Sequence, residues 1–324
     1  MARLAVDIGG TSIRLAYSLN RGSDLMNAEE LACADYDAPD DLLVRYCERH
    51  QIKIDELILA VAAPVFGTRV DVTNSHWQFD AGALAAALGA RSYLLINDFT
   101  AHAMAHRDYF YLGKLYSDKE LECLRQGNGD LTAPVIVSGP GTGLGVAALI
   151  PMDSEVKVVD GEGGHASYSP RTKAEVNVFS VLQKEIGHVS AERIISGSGL
   201  ETIYKIQNGT SKLASEIGAS ALLGDKESVD VVNLMLQSFA TVLANVTLSF
   251  GARAGIIIVG GVVPKLAPLL RASGFFERLN DHGRCSPYLE SMPIYLSRDR
   301  FAALRGGVSA FDNKFLQSKV CQLV

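Results

Sequence analysis

The chain has 324 residues, of which 48% are hydrophobic and 20% are charged, and its formal net charge is −6. These values are typical of a soluble globular protein that is long enough for two domains. The negative charge and the lack of a dense Lys/Arg run argue against nucleic acid as a partner. Five scattered cysteines without a Cys-x-x-Cys pair indicate a reduced, cytoplasmic protein without a zinc site.

No segment of the sequence predicts a membrane span or a secretory signal. The chain passes from Met1 directly into a strand pattern, without the apolar region of a signal peptide. The most apolar long stretch, 229–250, is interrupted by Asn233, Gln237, Thr241 and Asn245. We therefore predict a buried helix there, because a bilayer span needs about 20 predominantly apolar residues.

Taken in chain order, short apolar runs alternate with helical patterns, as in an α/β sheet. In the first part, we predict strands over 4–8, 13–18, 57–63 and 92–96, and a helix over 80–88. Thr100 is the predicted N-cap of the next helix, which runs to about His106. The second part predicts strands over 134–137, 255–259 and 293–296, and helices over 174–186, 208–228, 229–250 and 300–311, the last interrupted by Gly306-Gly307.

Two glycine-rich turns resemble copies of each other. The first contains Gly9, Gly10 and Thr11, and the second contains Gly141, Thr142 and Gly143. Each turn leads into an alternating run that ends in alanine. Glycine lets backbone N–H groups approach an anion, and threonine adds a hydroxyl donor. The pair predicts a duplicated α/β fold that binds a nucleotide through its phosphates.

Asp98 follows an apolar strand and precedes a helix, so it is expected at the carboxyl end of a sheet, where open α/β sheets bind ligands. A carboxylate in that position can accept the proton of a hydroxyl that attacks a phosphoryl group. The neighbouring Asn97 offers a donor and an acceptor to a second hydroxyl. The alternative for Asp98 is a turn or helix-capping residue.

Asp7 lies inside an apolar strand, two residues before the first glycines. A buried carboxylate is costly unless a metal ion or a cation compensates it. Its position at a phosphate turn suits Mg²⁺ held partly through water. The alternative is a carboxylate paired with a lysine or an arginine.

Three further polar residues are candidates for binding a polyol. Glu162 and His165 share one glycine-dense loop, and Glu192 follows in a second polar segment. Carboxylates accept hydrogen bonds and imidazole either donates or accepts them, which suits sugar hydroxyls. The alternative for each residue is an ordinary surface position.

Two other patterns carry weaker predictions. Gly260-Gly261 follows a strand and is either a backbone surface for adenine and ribose or a tight turn. His102 and His106 are spaced i,i+4, but no third ligand lies at a convincing spacing, so no metal site is predicted from them. The sequence also lacks a P-loop motif, the protein-kinase motifs and a Gly-x-Gly-x-x-Gly fingerprint.

Six segments in order resemble the bacterial ATP-dependent glucokinases, which belong to the sugar kinase, heat-shock chaperone and actin superfamily. The likeness extends from the first strand to Gly306-Gly307, and the cysteine-rich zinc motif of the related ROK sugar kinases is absent. Ser12 departs from the family pattern, which usually has Asn there. The six segments are 6–11, 96–101, 139–146, 161–165, 185–193 and 258–264.

The resemblance implies a fold, its domains and a reaction. The fold is a duplicated ribonuclease-H-like, actin-like ATPase α/β fold with two domains and an inter-domain cleft. A small domain takes 1–108 plus 299–324, and a large domain takes 109–298. The reaction is phosphorylation of D-glucose by ATP to glucose 6-phosphate, the first step of glycolysis. The alternatives are a kinase for another hexose, such as fructose, mannose or an amino sugar, and a non-catalytic sugar sensor.

The resemblance also implies a role for each matched residue. Asp98 is the general base on the sugar 6-hydroxyl, and Asn97, Glu162, His165 and Glu192 bind the other hydroxyls. The nucleotide is bound by Gly9, Gly10, Thr11, Gly141, Thr142, Gly143, Gly260 and Gly261. Asp7, the candidate for Mg²⁺ from its position in the sequence, joins this cofactor-binding set. Asn74 and Trp77 match a loop near the sugar. The implied partners are glucose, ATP and a second copy of the chain in a homodimer, without nucleic acid or membrane.

Overall fold

The computed structural model describes residues 2–19, 24–73, 75–108 and 120–323. The chain divides into two compact units. The first comprises Met1–Leu115, Leu149–Asp160 and Asp299–Val324, and the second comprises Tyr116–Ala148 and Gly161–Arg298. The grouping of Leu149–Asp160 with the first unit differs from the sequence prediction, which placed that stretch in the large domain.

Strands and helices alternate along both units. The described strands are β1 (Ala2–Ile8), β2 (Ser12–Leu19), β3 (Met26–Ala32), β4 (Glu56–Val61), β5 (Arg69–Asp71), β6 (Gln78–Asp80), β7 (Ser92–Asn97), β8 (Leu121–Arg125), β9 (Val135–Pro140), β10 (Leu144–Pro151), β11 (Val156–Gly161), β12 (Gly255–Ile258), β13 (Ile294–Ser297) and β14 (Val320–Gln322). The described α-helices are α1 (Pro39–Arg49), α2 (Ala81–Ala87), α3 (Asp98–Met104), α4 (Lys173–Ile186), α5 (Gly197–Asn208), α6 (Ala214–Leu222), α7 (Lys226–Phe250), α8 (Val263–Leu270), α9 (Phe275–Asn280), α10 (Ser286–Glu290) and α11 (Ala302–Phe311).

The first unit is built on a six-stranded sheet in the order β14-β7-β4-β1-β2-β3. Strands β1, β4 and β7 are parallel, and β1, β2 and β3 form an antiparallel meander. Strands β1 and β4 are buried along their whole length, as expected of parallel strands covered on both faces. The register aligns Ile8 with Val61 and Val61 with Asn97, so these three strands end at one edge of the sheet.

Helix α3 begins directly after β7 at that edge. Its N-cap is Asn97, whose side-chain oxygen accepts the Phe99 N–H at 2.8 Å. The prediction that Thr100 caps this helix is wrong. Thr100 is buried inside the helix, and its hydroxyl donates to Asp160 instead. An Asn side chain one residue before the helix reaches the exposed N–H groups more directly, which is why it takes the cap.

Helix α11 covers α3 in the first unit. The predicted interruption at Gly306-Gly307 is wrong, because the helix continues through both glycines. An added Cβ at Gly306 would lie 1.8 Å from the Ala101 carbonyl oxygen. Gly306 therefore allows α11 and α3 to pack closely, and it does not interrupt α11.

The second unit is built on a six-stranded sheet in the order β11-β10-β9-β12-β13-β8. Strands β9, β12 and β13 are parallel, and β8 is antiparallel to β13. Residues Leu149–Asp160, which include the end of β10 and most of β11, belong to the first unit. Both units thus consist of a mixed sheet with helices, and the duplicated α/β fold class is confirmed by these sheets and by the structural relatives described below.

The long helix α7 forms the centre of the helical layer of the second unit. Among the described residues, it is the one helix long and apolar enough to cross a membrane. However, 67% of its most apolar window is buried inside the protein. This burial confirms the prediction of a core helix over this stretch. The continuous helix predicted over 208–228 is instead divided between α5, α6 and α7, because turns at Gly209 and Gly224 interrupt it.

Candidate functional site

The first glycine turn connects β1 to β2 at the edge where the parallel strands end. The Gly9 N–H donates to the Ser12 carbonyl at 2.9 Å, which closes the turn and leaves Thr11 exposed at its tip. Cys33 supports the turn from behind. Its N–H donates to the Thr11 carbonyl at 3.0 Å, and its buried thiol donates to the Gly9 carbonyl at 3.6 Å. Burial raises the pKa of the Cys33 thiol and so favours the protonated donor.

Asp7 lies beside this turn and is paired with an arginine. Its side chain is 7% exposed, and Arg14 Nη1 donates to Asp7 Oδ2 at 3.1 Å. Arg14 also donates to Glu30 at 2.8 Å. Burial alone would lower the pKa of Arg14, but the two carboxylates raise it above its usual value. The structure therefore contains the alternative contact, in which the Asp7 carboxylate is paired with an arginine.

Asn97 and Asp98 lie at the same edge of the same sheet as the first glycine turn. Asn97 ends β7, and its side-chain amide donates to the Ala63 carbonyl at 3.4 Å. Asp98 opens α3 and is partly buried, with Oδ1 accepting the Phe99 N–H at 2.9 Å. One strand, β4, separates β7 from β1, so the two strand ends are about 10 Å apart at two strand spacings. The predicted base and the first phosphate turn thus belong to one surface of the first unit.

The second glycine turn connects β9 to β10 in the second unit. The Gly141 N–H donates to the Gly143 carbonyl at 2.7 Å, and Thr142 is exposed at the tip, as Thr11 is in the first turn. The Gly9 and Gly141 N–H groups thus each close their own turn. The Gly141 carbonyl accepts the N–H of Gly197, the first residue of α5, at 3.0 Å.

The backbone at Gly260 lies against the second glycine turn. Gly260 has φ +86°, and a Cβ added there would lie 2.7 Å from the Pro140 carbonyl oxygen. A Cβ at Gly139 would lie 1.8 Å from the Val259 carbonyl oxygen. These close approaches follow from the parallel pairing of β9 with β12. The predicted adenosine segment and the second phosphate turn therefore share one edge of the second sheet, with Gly261 exposed beside them.

Glu192 is bound to the second glycine turn. It lies in a short 3₁₀ helix, Ala191–Arg193, and its Oε2 accepts the Leu144 N–H at 2.9 Å. The sequence places Glu192 and Leu144 48 residues apart and gives no sign of this contact.

Glu162 and His165 lie in the loop after β11, which contacts the segment of Glu192. Their side chains are about half exposed, and His165 Nε2 is 3.8 Å from Glu162 Oε2. The Ala191 N–H donates to the Ala166 carbonyl at 2.9 Å, which ties the segment of Glu192 to this loop. The structure thus brings Glu162, His165 and Glu192 into one neighbourhood, with polar groups available for several hydroxyls.

His102 lies in α3, and His106 lies just after the end of this helix. Burial lowers the pKa of His102, and burial together with the neighbouring His102 lowers that of His106 to about 4. Among the described residues, no three His, Cys, Asp or Glu side chains are grouped as metal ligands.

The loop near the proposed sugar contact is described only in part. Trp77 is fully buried, and its indole N–H donates to the Tyr36 carbonyl at 3.0 Å, so it anchors the loop within the core. Asn74 lies outside the described residues.

Sequence reasoning missed three residues that shape these turns. Arg14 was overlooked, although its place in an otherwise alternating strand after the first turn was a signal. Cys33 carried no signal, because a lone cysteine is more often a core residue. Ser196, which caps α5 beside the second turn, had a signal in the Ser-Gly-Ser-Gly run.

Comparison with known proteins gives consistent results. The family model described as glucokinase matches residues 4–314. A glucokinase of Neisseria meningitidis serogroup C / serotype 2a is 34% identical over 327 aligned residues, covering 96% of this chain and 95% of the relative. The crystal structure of a glucokinase from an Antarctic psychrotroph is 28% identical, with a TM-score of 0.76 and coverage of 95% of this chain and 98% of that one.

A more distant structure shares the fold. It is a ROK family glucokinase from Streptomyces griseus in complex with glucose and AMPPNP, with 18% identity, a TM-score of 0.65 and coverage of 95% of this chain and 98% of that one.

Proposed function

The chain belongs to the glucokinase family and phosphorylates D-glucose with ATP, and on that premise we propose that Asp98 is the general base of the transfer. The observation that carries this proposal is the position of Asp98 at the carboxyl end of β7, on the edge that also holds the first glycine turn. A carboxylate at this edge is suited to accept the proton of the attacking hydroxyl. The hydroxyl oxygen then bonds to the γ-phosphorus as the bond to the β-phosphate oxygen breaks.

Asn97, Glu162, His165 and Glu192 are the proposed sugar ligands. Glu162, His165 and Glu192 are supported by their common neighbourhood in the second unit. Asn97 is supported by its position next to Asp98, although its side chain also caps α3. Fixed hydrogen bonds to the hydroxyls would hold the sugar in an orientation that favours attack, which lowers the entropic part of the barrier.

The two glycine turns, with Gly260-Gly261, are the proposed nucleotide ligands. The Streptomyces griseus relative binds AMPPNP, an analogue of ATP, and supports ATP as the donor. Mg²⁺ is the expected metal, and it typically binds through one or two carboxylates plus the substrate phosphates. Asp7 is the carboxylate beside the first turn and fits this donor set, and Arg14 donates to its Oδ2. When bound, Mg²⁺ neutralises charge on the phosphates.

The cellular role follows from the reaction. We propose that the protein acts in the cytoplasm, that it supplies glucose 6-phosphate as the first step of glycolysis, and that it forms a homodimer without a nucleic-acid or membrane partner. Reduced cysteines and the net charge of −6 support the location and the lack of a nucleic-acid partner. Light scattering of the purified protein tests the dimer, and turnover across hexoses and phosphoryl donors tests the substrate range.

The base assignment is tested with Asp98→Asn. We expect kcat to fall by at least ~10²-fold, the lower range for losing a general base, while glucose still binds. The measurement is a coupled glucose 6-phosphate assay together with calorimetric glucose binding. Asp55→Asn is the matched control, because it makes the same chemical change in the residue just before β4, at the opposite end of that strand from Val61. Near wild-type turnover of Asp98→Asn would rule out the assignment.

A further inference from the structure

The Glu192 carboxylate occupies the space that a side chain at position 143 would need. An added Cβ at Gly143 would lie 2.3 Å from Glu192 Oε2 and 3.1 Å from its carboxyl carbon. The same oxygen accepts the Leu144 N–H at 2.9 Å. Glycine at 143 therefore allows the carboxylate to reach the backbone, and the contact explains this glycine without reference to phosphate.

The loop that carries Glu162 and His165 contacts the same residue, Leu144, at its carbonyl group. An added Cβ at Gly164 would lie 1.9 Å from the Leu144 carbonyl oxygen, so the loop backbone rests directly on β10. The backbone at Leu144 is consequently in contact with both segments that hold the proposed sugar ligands of the second unit.

The backbone around Glu192 is fixed by further hydrogen bonds. The Ser196 hydroxyl donates to the Glu192 carbonyl at 2.8 Å, and the Gly197 N–H donates to the Gly141 carbonyl at 3.0 Å. The main chain of Glu192 thus cannot move far from the turn, and the orientation of its carboxylate depends on the Leu144 N–H.

We propose that the second glycine turn is a positioning element of the sugar site, through Gly143 and the Leu144 amide, in addition to its part in nucleotide binding. This inference rests on the proposed role of Glu192 as a sugar ligand. The Leu144 N–H holds one carboxylate oxygen and leaves the other for a sugar hydroxyl. A carboxylate that is oriented before the sugar arrives loses less side-chain entropy on binding, which raises affinity.

The test measures glucose binding by calorimetry without nucleotide. Gly143→Ala should weaken glucose binding about 10-fold or more, since the added methyl displaces the carboxylate and a hydrogen bond to a charged group is lost. Gly218→Ala in α6 of the same unit is the matched control, because it makes the same chemical change away from the proposed ligands and its added Cβ would lie at an ordinary 3.4 Å from Leu266. Its glucose affinity without nucleotide should equal that of the wild type.

Further measurements separate the possible failures. Wild-type protein that binds no glucose contradicts the proposed function. If the wild type binds glucose and Gly143→Ala binds it with equal affinity, the positioning role alone is overturned. The same holds if both glycine variants lose glucose affinity to the same extent. If Gly143→Ala does not fold, as judged by thermal melting, hydrogen exchange on the wild type decides. Glucose should slow exchange of the Leu144 amide, and an unchanged exchange rate overturns the inference.

Discussion

At single residues, neighbouring side chains change the chemical role that the sequence predicts, and Asp7 is an example. The position of Asp7 in an apolar strand predicts a metal-binding carboxylate, and the structure adds Arg14 as a direct partner. The pairing arises because Asp7 and Arg14 are register partners on antiparallel strands β1 and β2. Opposite charges placed directly across a sheet stabilise each other.

His106 is a second residue whose behaviour depends on burial. It is 3% exposed, and its pKa is lowered to about 4 by burial and by the nearby His102, although Asp299 acts in the opposite direction. In the unfolded chain the pKa returns to about 6.5. Between these values the unfolded chain binds a proton that the folded chain does not, so stability falls as the pH drops below about 6.5.

We therefore predict a pH-dependent loss of stability through His106. From pH 7 to pH 5 this residue should remove about 2 kcal/mol from the free energy of unfolding. Urea unfolding of the wild type and of His106→Gln at both pH values measures the effect. The variant should lose less stability than the wild type on acidification, and equal losses would show that His106 is not responsible.

At the scale of elements, a pair of helices determines where Asp98 lies. Helix α3 starts at Asp98, and α11 packs on it through Gly306 at the Ala101 carbonyl. On the other side, Gly307 faces β4, where an added Cβ would lie 2.9 Å from the Ile58 side chain. The two glycines therefore let α11 lie close to both the helix and the sheet that support the proposed base.

We predict that Gly306→Ala destabilises the protein by about 3 kcal/mol, because forcing a methyl group into a filled space separates the helices. Gly218→Ala in α6 is the matched control, since its added Cβ would lie at an ordinary 3.4 Å from Leu266. Replacing a helical glycine by alanine there should be neutral or stabilising by up to about 1 kcal/mol. Chemical unfolding compares the two variants, and a Gly306→Ala protein as stable as the wild type would contradict the close contact.

At the scale of the whole molecule, a buried arginine joins the two ends of the chain within the first unit. Arg3 in β1 is fully buried, forms an ion pair with Glu56 in β4, and donates to both carboxylate oxygens of Asp312 at 2.6 and 2.7 Å. The Phe311 ring also lies 4.8 Å from the Arg3 guanidinium carbon. The C-terminal segment is thereby held on the first sheet.

We predict that Arg3→Met lowers the free energy of unfolding by about 3–5 kcal/mol, because Glu56 would remain buried without its partner. Asp312→Asn should cost about 1 kcal/mol or less, since the Asp312 side chain is 44% exposed. Urea unfolding of both variants, and of Arg3→Met combined with Glu56→Leu, measures these effects. The double variant should recover stability, and a further loss instead would contradict the account.

Local sequence patterns were enough to predict the central strands, the glycine turns and the family. Apolar runs identified most of the central strands, and polar residues after them identified Asn97 and Asp98 at a strand end. Glycine spacing identified both turns, because few other residues allow such close backbone approaches. The order of the matched segments identified the family, and the family profile confirms it.

Contacts between residues far apart in the chain became visible only in the folded protein. The contact of Glu192 with Leu144, the ion pairs of Arg3 and the packing of Gly306 on Ala101 join residues far apart in sequence. The grouping of Leu149–Asp160 with the first unit has the same origin. The physical reason is that hydrophobic periodicity and turn chemistry are local, whereas partners of this kind are fixed by how strands register and helices pack.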